Sequence, residues 1–435
     1  MHLQASDVAT AIGGILVGPD VVLQRVGIDS RSVVPGGELF VPVHGGRDGH
    51  DFIDAALAAG AAAYLTARAP QGGTAIVVPD TTMALDALAR AVRSALPDRV
   101  IGITGSVGKT SAKDLVASVL GRAMSTSASL RSFNNELGVP LTLCNTPVGT
   151  EAVVVEMGMR GFGHIAHLCE IAQPTIGVVT SVELVHVELV HDLEGVARAK
   201  GELIEALPVD GTAILLADSA PVAAMAARTS ARVLTFGRTG DVTATDVSVD
   251  DDLLASFTLH SPWGSTEVRL AVRGEHQVAN ALAAAAVGLV CDVGLDDVAA
   301  GLGEATLSPW RMELHRTSSG AVVLNDAYNA GPASMAAALR SLAQLPARRR
   351  VAVLGTMAEL GVHAADAHAA IGALADELSL RLIAVDEPAY GGEGVPDLDA
   401  AEAALGVLGH GDAVLVKGSR VAGLERLAHR LIADD

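Results

Sequence analysis

The stretch "GITGSVGKTSAKD", residues 102–114, decides how this chain is read. The usual phosphate loop is G-x-x-x-x-G-K-[ST], which needs a glycine five places before Gly108. Ile103 stands there instead, and Gly105 lies only three places before. Yet the hydrophobic run "RVIGITG" (99–105) enters the loop as a strand should. "KTSAKDLVASVLGRA" (109–123) leaves it with apolar residues at helical spacing. Strand, glycine turn and helix in that order bring backbone N–H groups and the positive end of a helix to one point. The stretch therefore predicts a nucleotide site on a shortened loop. Gly105, Ser106 and Gly108 allow close backbone approach, Lys109 reaches the β- and γ-phosphates, and Thr110 or Ser111 offers a hydroxyl to Mg²⁺. The competing reading is a glycine-rich strand-to-helix turn carrying a surface lysine.

On both sides of the loop the pattern is α/β. From residue 98 to 309 the runs "EAVVVEMG" (151–158), "TIGVVTSV" (175–182), "GTAILLAD" (211–218) and "ARVLTFG" (231–237) read as buried strands, and "HQVANALAAAAVGLV" (276–290) as a core-facing helix. Before it, residues 1–97 give strands at "GGELFVPV" (36–43) and "TAIVVPD" (74–80), with "DFIDAALAAGAAAYL" (51–65) a helix running into another strand. The proline of "SALPD" (94–98) closes that segment. After "LSPWRMEL" (307–314), residues 310–435 alternate "AVVLNDAY", "RRVAVLGT", "LRLIAVDE" and "DAVLVKGS" with alanine-rich helices, the doubly wound pattern. The expectation is three α/β domains.

Composition agrees. Half of the 435 residues are hydrophobic but only 3% are aromatic, which suits β-branched strands covered by Ala/Leu helices. The net charge of −20, without a basic run, argues against nucleic-acid binding. Cys144, Cys169 and Cys291 stand far apart with no C-x-x-C, as buried spectators in a reducing compartment do. "MHLQASDVATAIGG" (1–14) lacks the regions of a signal peptide, and "ANALAAAAVGLV" (279–290) is too short to span a bilayer, so the chain reads as soluble and cytoplasmic, with no membrane contact.

Several polar residues fall at strand ends or follow them. Glu156 ends "EAVVVE", where a carboxylate sits over a nucleotide crevice. His186 and Glu188 follow the next strand, and Lys200 and Glu202 lie in the helical "ARAKGELI" (197–204). Taken singly, such a histidine is a hydrogen-bonded bystander and such a K-x-E pair a solvated helix face.

Taken together, "TGSVGKTS", Glu156, His186, "AKGEL", "GEHQVAN" (274–280) and the "WR" at 310–311 occur in the order found in the Mur ligase superfamily, ATP-dependent amide-forming enzymes of peptidoglycan assembly. That family's loop is the shorter T-G-x-x-G-K-T form. "SFNNELGVPLTL" (132–143), "NDAYNAGPASM" (325–335), "LGTMAELG" (354–361), "LVKGSR" (415–420) and "DSRSVVPGGELFVPVHGGRDGHDFI" (29–53) resemble the MurF type within it.

The resemblance implies a small N-terminal substrate domain (1–97), a central P-loop-type ATPase domain (98–309) and a C-terminal Rossmann-like domain (310–435). It implies joining of D-alanyl-D-alanine to UDP-N-acetylmuramoyl-tripeptide through an acyl phosphate, by a monomer, with ATP and two Mg²⁺ ions. Catalytic roles fall to Lys109, His186 and Lys200. Thr110 and Glu156 match the positions at one metal. His186 and Lys200, the latter as an N-carboxylated (carbamate) lysine, match those at the second. Asn135, Asn280, Arg311 and Asp326 match nucleotide positions, with His276 beside Asn280. Ser30, Arg31, Asp48 and His50 match the UDP side, and Tyr328, Asn329, Ser334, Lys417 and Ser419 the peptide side.

The chain departs from the family at Ser181, Glu183, Gln277, Gly331 and Thr356, where Asn, Gly, Asn, Asn and Asp are usual. Two other readings stay open: a superfamily ligase adding a single amino acid, and an ATP-binding protein without ligase activity.

Overall fold

The computed structural model describes residues 1–183, 190 and 192–433; His186 and Glu188 lie outside them. Three main sheets follow one another along the chain, with no strand shared between them. In the first, Ile15–Val17 pairs antiparallel with Ala75–Val77, and Ala63–Thr66, Glu38–Phe40 and Arg25–Gly27 extend the sheet in parallel. Helix Thr81–Arg93 crosses to the next unit. Asp80 caps it by accepting from the N–H groups of Thr82 and Met83.

The second sheet has six parallel strands in the order Arg232–Phe236, Thr212–Leu216, Ile176–Val179, Val100–Thr104, Ala152–Glu156 and Thr126–Ala128. The strand that feeds the phosphate loop is thus internal, flanked by the strand ending in Glu156 and the one ending in Val179. Register puts Glu156 beside Ile103 and Val179 beside Thr104, so all three strands end on one crevice. Helix Lys109–Leu120 buries Leu115, Val116, Val119 and Leu120, each worth roughly 1.5–3 kcal/mol relative to exposure. The buried helix Gln277–Val290 packs against it.

One element of this segment escapes the sequence reading. Thr243–Val249, Leu254–Ser261 and Gly264–Arg273 form a separate three-stranded antiparallel sheet. Its alternation of buried and half-exposed residues reflects a single covered face.

In the third sheet Val322–Asn325, Asp412–Lys417, Arg349–Leu354, Arg381–Val385 and Glu393–Val395 run parallel, and Glu313–Arg316 adds an antiparallel edge. The three cysteines are free and buried, and burial pushes their thiols up to about 12, 12 and 11 for Cys144, Cys169 and Cys291. Among the described residues, no helix is long and apolar enough to cross a membrane.

Candidate active site

The shortened loop turns on two glycines of positive φ. Gly105 has φ +152° and Gly108 φ +85°. A Cβ at 105 would overlap Thr180 Oγ1, and one at 108 would run into Asn280 Oδ1. Helix Lys109–Leu120 starts immediately after Gly108. Lys109 folds over the loop, its Nζ donating to the carbonyls of Gly105 (2.7 Å) and Ser106 (3.3 Å). Burial lowers its pKa, and the nearby charge of Glu156 acts in the opposite sense. The side chain of the departure at 181 braces this loop, as does the backbone at 183. The Val107 N–H donates to Ser181 Oγ (2.8 Å), and the Glu183 N–H to Ser106 Oγ (2.8 Å).

Glu156, only 1% exposed, has a partner for each oxygen. Oε2 accepts from Thr110 Oγ1 and Oε1 from Asn134 Nδ2, both at 2.7 Å. Arg311 reaches the same spot from the third segment, its Nη2 donating to Thr110 Oγ1 (2.9 Å) and Ser132 Oγ (3.1 Å) while its guanidinium stacks over Tyr328 at 4.3 Å. Trp310 and Met312, on either side of it, both have left-handed backbones (φ 62° and 53°), so the chain turns sharply to present Arg311.

Three polar residues here went unassigned from sequence: Lys113, Ser132 and Asn134. Lys113 is 1% exposed and donates to the carbonyls of Ser129 and Arg131, both at 2.7 Å. It thereby pins the loop that presents Ser132 and Asn134, a loop kinked at left-handed Arg131 (φ 51°). Asn135 has a different task from its neighbour. Its Oδ1 accepts from the N–H groups of Leu137 (3.3 Å) and Gly138 (2.9 Å) at the start of helix Gly138–Cys144. The sequence signal was the Asn pair in "SFNNELG", but only the fold says which member faces Glu156.

Lys200 is 1% exposed, and no hydrogen bond or ion pair of its ammonium falls among the described residues. Burial, then the charge of Lys109, push its pKa well below the ordinary value. Asn280 Nδ2 donates to Gln277 Oε1 (2.8 Å), whose amide lies 3.2 Å from His276 Nε2, so Gln277 joins an amide–imidazole row. Burial lowers the His276 pKa and keeps the ring neutral.

In the third segment Lys417 is committed to Asp326, Nζ to Oδ2 at 2.5 Å, and to the Asn329 carbonyl at 2.8 Å. Asp326 Oδ1 also accepts from the Met312 N–H (3.1 Å), tying the Arg311 turn to this sheet. Ser334 closes the turn at Gly331. Buried Ser419 bonds the Ala330 carbonyl and the Ala358 N–H, so it joins two loops.

A cavity of about 1060 Å³ connects these groups, with Lys109, Glu156, Lys200, Asn280, Asp326 and Tyr328 on its walls. Asn135, Arg311, Asn329, Ser334 and Lys417 line it too, whereas Ser30, Arg31, Asp48, His50 and Ser419 do not. Arg31 is paired with Asp29 at the surface (2.8 Å). His50, expected to face substrate, is buried with both ring nitrogens engaged, Nδ1 on Asp48 (2.8 Å) and Nε2 accepting from the Ala67 N–H (3.0 Å). Asp48 in turn pairs with Arg68. These side chains hold the loop together.

A phosphate loop whose cleft is walled by a second α/β unit, with a further α/β unit before it in the chain, is the build of a multidomain nucleotide-dependent ligase. The chain belongs to the Mur ligase family: the family's catalytic-domain model matches residues 22–95, its middle domain 103–288 and its glutamate ligase domain 310–420. Among its relatives, the UDP-N-acetylmuramoyl-tripeptide--D-alanyl-D-alanine ligase of Mycobacterium tuberculosis is 41% identical over 100% of this chain and 98% of that one. The UDP-N-acetylmuramoylalanyl-D-glutamyl-2,6-diaminopimelate--D-alanyl-D-alanyl ligase of Acinetobacter baumannii superposes with a TM-score of 0.88 at 29% identity, covering 100% of this chain and 99% of the other. The MurF ligase of Thermotoga maritima, solved in complex with ADP, gives a TM-score of 0.83 at 27% identity over 94% of this chain and 97% of that one.

Proposed function

We infer that the protein is an ATP-dependent ligase that joins D-alanyl-D-alanine to UDP-N-acetylmuramoyl-tripeptide, releasing ADP and phosphate. Full-length similarity to ligases of that name carries the reading, since it extends through all three segments. On this reading the chain divides into a UDP-substrate domain (1–97), an ATP domain (98–309) and a Rossmann-like domain (310–435). The donor is an acidic peptide of the kind in the Acinetobacter enzyme's name. By its resemblance to the MurF type, the enzyme works as a monomer. It acts in the cytoplasm, where ATP and a UDP-linked peptide are both at hand. The net charge of −20, without a basic run, argues against nucleic acid as a partner.

The chemistry follows from a carboxylate that an amine cannot open at neutral pH. A carboxylate oxygen of the donor attacks the γ-phosphorus of ATP and ADP leaves. The amine nitrogen of D-alanyl-D-alanine then attacks the acyl carbon of the acyl phosphate, and inorganic phosphate leaves. Phosphoryl transfer is chiefly positioning and charge neutralisation. Lys109, the loop N–H groups and Arg311 supply that for the phosphates, Asn280 and Asp326 hold the nucleoside, and Tyr328, Asn329 and Ser334 face the acceptor. Closure of the cleft keeps water from the acyl phosphate.

Mg²⁺ fits the donors present. Thr110 and Glu156 offer buried hard oxygens side by side, the ligand type magnesium takes. Bound there, the ion would neutralise charge on the transferring phosphoryl group. Lys200 fits the carbamate assignment. An amine buried in this way, its pKa pushed well down by burial and then by the charge of Lys109, favours the neutral form that adds CO₂ with loss of a proton, and the resulting carboxylate is an oxygen ligand. His186, the remaining metal assignment, lies outside the described residues.

The test is phosphate release from Mg²⁺ and ATP with the tripeptide and D-alanyl-D-alanine supplied singly and together. Release that needs both, with a product heavier by the dipeptide less water, is expected, and Lys109→Ala should abolish it. Release with a single amino acid but not the dipeptide would move the enzyme to another branch of the family.

A further inference from the structure

The cavity that holds the phosphate loop is also walled by the loop and helix that follow Glu156. Arg160, His164 and His167 all line it there. His164 and His167 are three residues apart on helix His164–Ala172, and so share one face. The helix start is anchored from outside, because the Glu202 carboxylate accepts from the N–H groups of Gly163 (2.7 Å) and Ala166 (3.0 Å). Glu202 sits two residues after Lys200, so the basic wall is fastened to the helix that carries that lysine. His167 is fixed from the first segment, its Nε2 2.9 Å from Asp86 Oδ2. His164 Nδ1 accepts from the Arg160 N–H (3.3 Å), which leaves Nε2 free to face the cavity.

Arg160 itself is loosely held. Among the described residues it pairs with Glu136 at 3.8 Å, and the two side chains are 69% and 46% exposed. A well-placed guanidinium with a weak partner, beside two imidazoles on one wall of the cleft, is unusual in a chain of net charge −20. It is a wall suited to an anion.

We propose that Arg160 and His164 form a subsite for a spectator carboxylate of the donor peptide, one other than the carboxylate that is activated. The proposal rests on the ligase reading above. The activated carboxylate must reach the space between Lys109 and Glu156, and the wall bearing Arg160 begins where the Glu156 strand ends. A peptide of the type named for the Acinetobacter enzyme carries two spare carboxylates once one is activated: one on the D-glutamyl residue and one on diaminopimelate. Either can meet a cation four residues beyond Glu156. A lysine-ending peptide would present an ammonium in place of the second.

The experiment compares the wild type, Arg160→Gln, Arg160→Lys and His164→Gln on three donors. These are the glutamyl–diaminopimelate peptide, its analogue with lysine in place of diaminopimelate, and its analogue with the glutamyl carboxylate amidated. Arg160→Gln should raise KM for the first donor about tenfold, the scale of one charge-assisted hydrogen bond, with kcat little changed. Arg160→Lys should keep most of the affinity, and His164→Gln should show the same pattern at smaller amplitude. On the analogue lacking the recognised carboxylate, Arg160→Gln should cost nothing further, which identifies that carboxylate. An equal loss on all three donors, or no loss on any, overturns the subsite while leaving the ligase reading intact. A wild type that turns over none of the donors overturns both.

Discussion

Thr110 donates a 2.7 Å hydrogen bond to Glu156, joining the first turn of the loop helix to the end of the neighbouring strand in a buried pair. The hydroxyl also accepts from Arg311, so one oxygen links the loop, the strand end and the third segment. Glu156→Gln can keep this network if its carbonyl oxygen faces Asn134 and its NH₂ faces Thr110. Stability should change by only about 1–2 kcal/mol, while the proposed Mg²⁺ site loses a charged ligand and kcat falls about 100-fold or more. Thermal unfolding beside a Mg²⁺ titration of phosphate release checks both halves. A variant with normal Mg²⁺ dependence would remove Glu156 from the metal.

Gly108→Ala tests the shortened loop. A methyl group there meets Asn280 Oδ1 on a backbone at φ +85°. The strain should cost roughly 1–3 kcal/mol, as weaker ATP binding by about tenfold or more. Isothermal titration with a non-hydrolysable ATP analogue measures it.

The loop was legible because its conformation is local: strand, two glycines, helix. Glu156 was legible for a similar reason, since a carboxylate at the end of a parallel strand has one place to go. What was not legible depends on tertiary partners. Nothing in "NN" says that Asn134 turns to Glu156 while Asn135 caps a helix, because the choice is made by the kink at Arg131 and by Lys113 beneath it. His50 and Ser419 look like site residues by type, but their partners are the Ala67 N–H and the Ala330 carbonyl, groups invisible in a one-dimensional pattern. The antiparallel sheet at 243–273 was missed because half-buried strands alternate polar and apolar residues and lack the continuous apolar run of a parallel core.

Asp48 makes the first segment acid-sensitive. The His50 backbone N–H, then its ring, and after them Arg68, hold the carboxyl at about 2 against the ordinary 3.8. A pKa lowered by folding means that the unfolded chain binds the proton first. The stabilisation is therefore complete above the ordinary value and is lost as pH falls through about 2. The melting-temperature gap between wild type and Asp48→Asn should be widest near neutrality and should close between about pH 4 and about pH 2. A gap independent of pH would mean that the carboxylate charge plays no part.

Lys113→Met separates support from chemistry. The substitution removes a buried cation that satisfies the Ser129 and Arg131 carbonyls and lies 3.0 Å from Asp114 Oδ1. Asp114 keeps the Ser308 N–H at 2.7 Å, so the two carbonyls bear most of the loss. Leaving them without a donor should cost about 2–4 kcal/mol in unfolding. The loop they belong to carries Asn134, so Glu156 should also lose its second partner, and the Mg²⁺ concentration for half-maximal activity should rise. Asn134→Ala reaches the same carboxylate without the buried carbonyls, so it should raise the Mg²⁺ requirement at a smaller cost in stability than Lys113→Met. If Lys113 acts on the metal site through Asn134, the double variant will be no worse in Mg²⁺ dependence than the worse single one. Additive effects on Mg²⁺ dependence would instead give Lys113 a route to the site that does not pass through Asn134.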